Sequence, residues 1–305
     1  NAADNFHPTA LHSAKNVVNK NFQGTTFDEV GAASMEVAPD MQFIPVHQGR
    51  SLACAGARRV NDDKMFLRIQ HQVLPNLSLH AYTSEDGSAK KLFSRFHIVR
   101  WTVPVDDENS KMMGWRVMGP GIDTRGIGDK SMVGYETIDF LEGQVAMRRP
   151  ERFGKYKLED LPPIPTNHRE REIYKDAQYA PGDYEAIISQ RPIAVHKLEN
   201  PTKFDAGVYA FRKMLRDAVR GTNPAAGAHG FAEWLRSMNG APNSYCTGNV
   251  FEMPIAETVE QEVANRRRLA KETVAILTEA DQLKGQDRAT FVKERLEQLE
   301  QSFKK

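Results

Sequence analysis

The chain has 305 residues and a nearly balanced charge, with 41 lysines and arginines against 40 aspartates and glutamates, for a formal net charge of +1. This balance argues against nucleic acid or an anionic membrane surface as the main partner. The hydrophobic fraction is 40%, and no apolar run approaches the roughly 18 residues of a membrane helix.

The first predicted element is a helix over residues 1–16, which carries several potential metal ligands. They follow the pattern N-x2-D-x2-H-x4-H, formed by Asn1, Asp4, His7 and His12. Two imidazoles and a carboxylate suit non-haem iron(II), because this set leaves coordination positions open for dioxygen. The alternative is a pair of surface histidines on a frayed helix, with Asp4 as an ordinary acid of the first turn.

The spacing of the two histidines restricts the local backbone. His7 and His12 are five residues apart, which is about 140° around an ideal helix. They can share one metal only if the helix has a π-type bulge or breaks near Pro8, and both irregularities are common at functional sites. The third ligand must come from elsewhere in the chain.

The next part of the chain, from residue 25 to about residue 137, predicts β-strands separated by turns. Residues 77–84 alternate, with Leu77, Leu79 and Ala81 on one side. Residues 93–105 and 111–119 predict a hairpin of long strands joined by the acidic turn DDENS.

The predicted hairpin has a face rich in aromatic and methionine side chains. Such a face is usually ordinary core, but it lines an apolar pocket if the sheet curls around a cavity. The candidate substrate-binding residues here are Phe93, Arg95, His97, Trp101, Met113, Trp115 and Arg116.

A loop rich in proline and charge follows over residues 148–172 and is long enough for a lid or a linker. Apolar periodicity then predicts helices, with approximate ranges 183–191, 204–220, 226–238, 256–281 and 288–304. The last two are amphipathic with mixed charge, so we expect them to pack against the body or to support an oligomer.

Asp183 is the best candidate for the third metal ligand. It begins a predicted helix on which Ile187 lies one turn further along the same face, so its side chain is expected to face the body. A buried carboxylate needs a charged partner or a metal. The alternative role is the helix N-cap, where aspartate is favoured, and Glu185 and Asp176 are weaker candidates.

Two separate segments resemble one family. The N-x2-D-x2-H-x4-H pattern resembles the mononuclear-iron motif of the alpha subunits of Rieske non-haem iron oxygenases. Residues 182–219, GDYEAIISQRPIAVHKLENPTKFDAGVYAFRKMLRDAV, look like the region around the third ligand in the phthalate-dioxygenase-like, aromatic ring-hydroxylating branch. The two matches occur in the family's order, which makes them more specific together than either is alone.

The resemblance implies a role for each matching residue. His7, His12 and Asp183 would be the iron ligands. Asp4 would be the bridging acid that hydrogen-bonds an iron-ligating histidine and connects it to a Rieske histidine of a neighbouring subunit. Asn1 matches an asparagine near the iron.

The resemblance also implies an α+β fold, a START-like helix-grip domain in which a curved antiparallel sheet surrounds a helix and leaves a central pocket. We expect this catalytic domain to span residues 1–221 and a C-terminal helical extension to span residues 222–305. The predicted strands and helices agree with that division.

One departure from the family concerns the [2Fe-2S] Rieske cluster, which needs paired C-x-H and C-x2-H ligands. Neither Cys54 nor Cys246 lies in such a pair, and both are expected to be reduced thiols of a cytoplasmic protein. Because the chain begins at the first position of the motif, we expect an N-terminal Rieske domain to have been removed before Asn1.

The implied activity is oxygenation at iron(II). The product would come from cis-dihydroxylation or monooxygenation, such as O-demethylation, of an aromatic substrate. Relatives in this branch often take carboxylated aromatics, which Arg95, Arg100 or Arg116 could bind. Electrons would come from NAD(P)H through a separate reductase with a ferredoxin or flavin, and electron transfer between subunits implies a homo-oligomer, a trimer or hexamer.

Two alternatives belong to other classes of protein. The first is a START-like lipid or small-molecule carrier with no catalytic metal, in which the two histidines are incidental. The second is a metal-dependent hydrolase that uses zinc at His7, His12 and Asp183 and needs neither dioxygen nor a reductant.

Overall fold

A computed structural model describes residues 6, 33, 37–81, 96–116, 190, 193–237 and 242–304 of the chain. These residues form an α+β structure in which an antiparallel sheet packs against helices. The fold class predicted from the sequence is therefore confirmed, and the arrangement is consistent with a helix-grip fold. None of the helices in these ranges is long and apolar enough to cross a membrane.

The sheet has seven strands in the part of the chain that the structure describes. They are β1 (Asp40–Val46), β2 (Ser51–Arg59), β3 (Lys64–Val73), β4 (Leu77–Ala81), β5 (Phe96–Pro104), β6 (Ser110–Arg116) and β7 (Thr247–Glu252). The first six lie side by side in chain order. Strand β7 pairs with the first half of β3, from Lys64 opposite Glu252 to Ile69 opposite Thr247, while β4 pairs with the end of β3.

The four α-helices whose bounds the structure describes follow the sixth strand. They are α1 (Ala206–Arg220), α2 (Ala228–Ser237), α3 (Val259–Glu279) and α4 (Gly285–Gln301). Thr258 caps the start of α3 by accepting a hydrogen bond from the Gln261 N–H at 3.2 Å, and α1 ends at Gly221, whose φ of 72° is a common C-terminal stop.

The helix face of the sheet is the face that α3 and α4 cover. Strand β2 supplies small side chains to it and strand β3 supplies large ones, namely Ala53, Ala55 and Ala57 and then Met65, Leu67 and Ile69. The three alanines leave room for α3 to lie close to the sheet, where its Leu269, Ala270, Val274 and Leu277 complete a fully buried core. Burying apolar surface of this kind is the main driving force for folding.

The opposite face of the sheet is covered in part by α1. Leu52 and Cys54 of β2 are buried there against Met214 of α1, with Phe211 packed beside them. Alternate residues of one strand therefore serve two separate cores, as the two-residue period of a strand requires.

Most predicted elements in the described ranges are confirmed. The hairpin is β5 and β6, and the four later helices lie close to their predicted ranges. Strand β7 differs from the prediction: residues 247–252 belong to the sheet, although they lie within the predicted helical extension. Both cysteines are free thiols and both are buried.

Candidate functional site

The predicted iron ligands lie outside the part of the chain that the structure describes. This holds for His7, His12 and Asp183, and equally for Asn1 and Asp4. Their roles therefore stay predictions. Among the described residues, no three histidine, cysteine, aspartate or glutamate side chains form a group that could hold a metal ion.

One described residue of the N-terminal motif makes an informative contact. Phe6 precedes His7 directly, and its ring meets the ring of Phe204 edge to face, with the centroids 4.7 Å apart and the planes at 63°. Phe204 lies 21 positions after Asp183 in the segment that resembles the family's third-ligand region. The fold thus brings the two motif-bearing segments together, although almost 200 residues separate them in sequence.

The segment that carries Phe204 is held by its own hydrogen bonds. Residues 203–205 form a short 3-10 helix with a capping box, in which Thr202 Oγ1 accepts from the Phe204 N–H at 3.2 Å. In return, Asp205 Oδ2 accepts from the Thr202 N–H at 2.8 Å. Capping boxes satisfy backbone donors that a helix start otherwise leaves free.

A second set of contacts ties the preceding residues to α1. Glu199 Oε2 accepts hydrogen bonds from Arg212 Nη1 at 2.7 Å and from the Tyr209 hydroxyl at 3.0 Å. The Arg212 guanidinium holds the pKa of the Glu199 carboxyl below its usual value. Because α1 is itself packed on the opposite face of the sheet, these contacts join residues 199–212, including Phe204, to the body of the protein.

The predicted apolar face of the hairpin is present. Trp101 lies opposite Met113 and Val99 lies opposite Trp115, so these side chains share one face, and the two tryptophan rings are 5.0 Å apart. Met113 and Trp115 are each 57% exposed.

The remaining candidate lining residues are only partly placed. His97 lies in β5 and Arg116 in β6, but their side chains are outside the described part of the chain, as are Phe93 and Arg95 altogether. Arg100 lies opposite Gly114 in the register and therefore on the other face from Trp101. Arg100 therefore lies on the face of the sheet on which α1 packs, away from the tryptophan pair.

Sequence reasoning missed a buried polar cluster at one end of the helix face. The buried histidine cluster, as we call it, consists of His47, His71, Tyr245 and Asp281. His47 Nε2 lies 3.3 Å from Asp281 Oδ2, and the Tyr245 hydroxyl donates to the same oxygen at 2.9 Å. The rings of His47 and Tyr245 meet edge to face at 5.0 Å, and the rings of the two histidines are 5.6 Å apart.

His47 enters this cluster from a strained turn. His47, Gln48 and Gly49 have φ values of 50°, 56° and 79°, although only glycine adopts such values readily. Ser51 stabilises the turn, because its Oγ lies 2.9 Å from His47 Nδ1. A Cβ on Gly49 would come within 2.6 Å of the side-chain amide nitrogen of Asn223, so a larger residue there would displace that side chain.

His71 is held in its neutral form. Its Nδ1 accepts a hydrogen bond from the backbone N–H of Tyr245 at 3.4 Å, so the ring proton of the neutral form lies on Nε2. Burial lowers the pKa of His71 to about 3, and the neighbouring His47 and Arg288 add to the shift. Burial likewise raises the pKa of Tyr245.

The cluster joins the β1–β2 turn, strand β3, the approach to β7 and the end of α3. Ser51 and Tyr245 are fully buried and His71 is 2% exposed. Because these buried side chains contact one another, the cluster stabilises the packing of the C-terminal helices on the sheet. The polar residues come from four distant parts of the sequence, and a lone histidine in an alternating strand was the only local signal.

Comparison with known proteins points to one class of enzyme. No family model matches the chain. A curated relative from Aquincola tertiaricarbonis, the oxygenase subunit of tert-butanol monooxygenase / tert-amyl alcohol desaturase, is 31% identical over 311 residues. The chain is similar to an oxygenase subunit.

The extent of this similarity differs between the two proteins. It covers 99% of this chain but 58% of the relative. The chain therefore spans a little over half the length of the curated relative that it matches. Because nearly all of this chain is included, the similarity is not confined to the sheet or to the C-terminal helices.

Proposed function

We propose that this chain is the dioxygen-activating part of an oxygenase and that it holds a mononuclear iron(II) through His7, His12 and Asp183. The similarity to an oxygenase subunit over 99% of the chain carries the proposal. The contact between Phe6 and Phe204 supports it, because it joins the segment of His7 to the segment that follows Asp183.

The chemistry of the donor set fits this metal. Two neutral imidazoles and one carboxylate bind iron(II) at one side and leave the other side open. Bound iron supplies the centre that activates dioxygen. Asp4 would hydrogen-bond one of the ligating histidines, orient its imidazole and provide the contact to a Rieske histidine of a neighbouring subunit. Asn1 would lie beside the metal.

The electrons come from outside this chain. We infer a [2Fe-2S] Rieske domain, which this sequence does not contain, and a separate reductase that draws on NAD(P)H. The name of the relative, an oxygenase subunit, supports a system with several components. Transfer between subunits through Asp4 requires a homo-oligomer, a trimer or a hexamer.

The substrate class has two candidates, each supported by its own observation. The relative is named for tert-butanol and tert-amyl alcohol, which favours a small tertiary alcohol and monooxygenation. The apolar face formed by Trp101, Met113 and Trp115 favours a larger ring, such as the aromatic substrate that the family resemblance implies. A carboxylated ring on that face could not use Arg100, which lies on the other face of the hairpin.

Nitric oxide tests the proposal, because it is a dioxygen analogue that binds iron(II) only at an open coordination position. We expect the chain, loaded anaerobically with iron(II), to give the electron paramagnetic resonance signal of a high-spin iron nitrosyl. Adding tert-butanol or benzoate is expected to change the signal for the substrate class that fits. A metal-free START-like carrier gives no such signal, so its absence would contradict an oxygenase. A zinc hydrolase is distinguished separately, because its activity needs neither dioxygen nor a reductant.

A further inference from the structure

The clasp, as we call it, is the pair formed by Phe6 and Phe204. Phe6 directly precedes His7 in sequence, and neither phenylalanine is a proposed iron ligand. Phe204 is 57% exposed and Phe6 is half-buried. A ring that belongs to the hydrophobic core would be buried more deeply. We therefore interpret the pair as a local contact that joins one segment to the other.

The backbone around Phe204 is held in place by local hydrogen bonds, so its ring can serve as a fixed contact for Phe6. The capping box of Thr202 and Asp205 fixes the turn on which it stands, with three hydrogen bonds of 2.8–3.2 Å. Directly after this turn, α1 begins and is anchored in the core by Met214. On the other side, the pair of Glu199 and Arg212 joins the preceding residues to the same helix.

Phe6 is the residue of the N-terminal motif segment that contacts Phe204. It stands between Asp4 and His7 in sequence, and consecutive Cα atoms are about 3.8 Å apart. Fixing the Phe6 ring therefore restricts the position of the residue that follows it. Metal ligands must be held within roughly 0.5 Å of their working geometry, and residues behind the ligands normally supply that precision.

We propose that Phe204 is a positioning residue for the iron site, which clasps Phe6 and so holds the His7 segment ready to bind the metal. This inference rests on the proposed function, since it needs His7 to be a ligand. The edge-to-face geometry matters, because aromatic pairs at 4.5–7 Å are worth about 0.5–1.5 kcal/mol beyond their buried area, equal to about a 2- to 12-fold change in an equilibrium constant.

Iron affinity measures the effect without turnover. The chain is loaded anaerobically with iron(II), and a colorimetric chelator is titrated against it for the wild type, Phe204→Ala, Phe6→Ala and the double variant. We expect each single variant to bind iron about 2- to 12-fold more weakly. The double variant is expected to be no weaker than the weaker single variant, because both changes remove the same contact.

Two further variants separate positioning from general damage. Phe204→Tyr keeps an aromatic ring and is expected to retain the wild-type affinity. Leu198→Ala is the matched control, because Leu198 is 58% exposed and lies in the same segment; it is expected to leave the affinity unchanged. Thermal unfolding of every variant checks that the fold is kept.

The outcomes distinguish this inference from the proposed function. A wild-type chain that binds no iron overturns the proposed function and this inference with it. A wild-type chain that binds iron, together with unchanged affinity in Phe204→Ala, overturns the clasp alone. Effects of Phe204→Ala and Phe6→Ala that simply multiply in the double variant also overturn it, because independent effects mean that the two rings do not act on the site as a pair.

Discussion

His71 shows how packing decides the protonation state of a single residue. Its ring is 2% exposed and lies near His47 and Arg288, and its Nδ1 accepts a hydrogen bond from the backbone N–H of Tyr245. A charged imidazole there would lose its hydration without gaining a partner. The side chain therefore stays neutral in the folded protein at pH values where an exposed histidine is charged.

This neutral state makes the stability of the protein depend on pH. The pKa of His71 is about 3 in the folded state and 6.5 in the reference state, so between these values the unfolded chain binds more protons. Its contribution to stability is present above pH 6.5 and is lost as the pH falls towards 3, at up to about 1.4 kcal/mol per pH unit.

Replacing the titrating ring tests this dependence. His71→Asn keeps an acceptor for the Tyr245 N–H but does not titrate. We expect urea unfolding at pH 7, 6, 5 and 4 to show a flatter pH dependence for His71→Asn than for the wild type. His229→Asn is the control, since the His229 side chain is 86% exposed. Parallel curves for the wild type and His71→Asn would show that His71 titrates normally.

At the scale of elements, the start of α3 is joined to the end of β2 by one buried ion pair. The Arg59 guanidinium donates two hydrogen bonds to the Glu262 carboxylate, from Nε to Oε1 at 2.9 Å and from Nη2 to Oε2 at 2.8 Å. The two side chains are 11% and 10% exposed. Arg266, one turn along α3, donates to the same carboxylate at 3.1 Å. This fixes where α3 crosses the sheet.

Neutralising that carboxylate should therefore be costly. We expect Glu262→Gln to lower the free energy of unfolding by roughly 3 kcal/mol, because it leaves a buried guanidinium without its counter-charge. The comparison is Glu272→Gln, which breaks the exposed pair of Glu272 with Arg268 on the same helix and is expected to cost at most about 0.5 kcal/mol. Equal losses in the two variants, measured by chemical denaturation, would rule out a special role for Glu262.

Local patterns predicted some elements and failed on others for physical reasons. The hairpin of β5 and β6 and helices α1 to α4 follow from the period of their own side chains. Strand β7 has the sequence TGNVFE, whose glycine and asparagine disfavour a strand. It forms because β3 offers an open edge beside it, which is a tertiary effect.

The candidate sites also differ in how far local sequence predicts them. The N-terminal motif is recognisable because its residues lie within 12 positions of each other, although the placement of His7, His12 and Asp183 lies outside the described residues. The buried histidine cluster was unpredictable, since His47 and Asp281 are brought together only by the packing of α3 on the sheet. The contact of Phe6 with Phe204 is likewise a product of the whole fold.

At the scale of the whole molecule, the described part of the chain is a sheet with α3 and α4 on one face and α1 on the other. The proposed iron site takes its ligands from the two motif segments, residues 1–12 and 182–219. The similarity to an oxygenase subunit extends over both motif segments and the residues between them. One metal bound by both segments, as we propose, requires that the fold bring them together, and the contact of Phe6 with Phe204 is consistent with this requirement.

Elemental analysis of iron tests the central claim most directly. The chain is loaded anaerobically with iron(II), desalted and analysed as wild type, His7→Ala and Asp183→Ala, with His229→Ala and Asp107→Ala as controls at exposed positions. We predict about one iron per chain in the wild type and both controls, as expected for a mononuclear site, and little or none in the two ligand variants. Full iron content in either His7→Ala or Asp183→Ala would contradict the ligand assignment and the oxygenase proposal built on it.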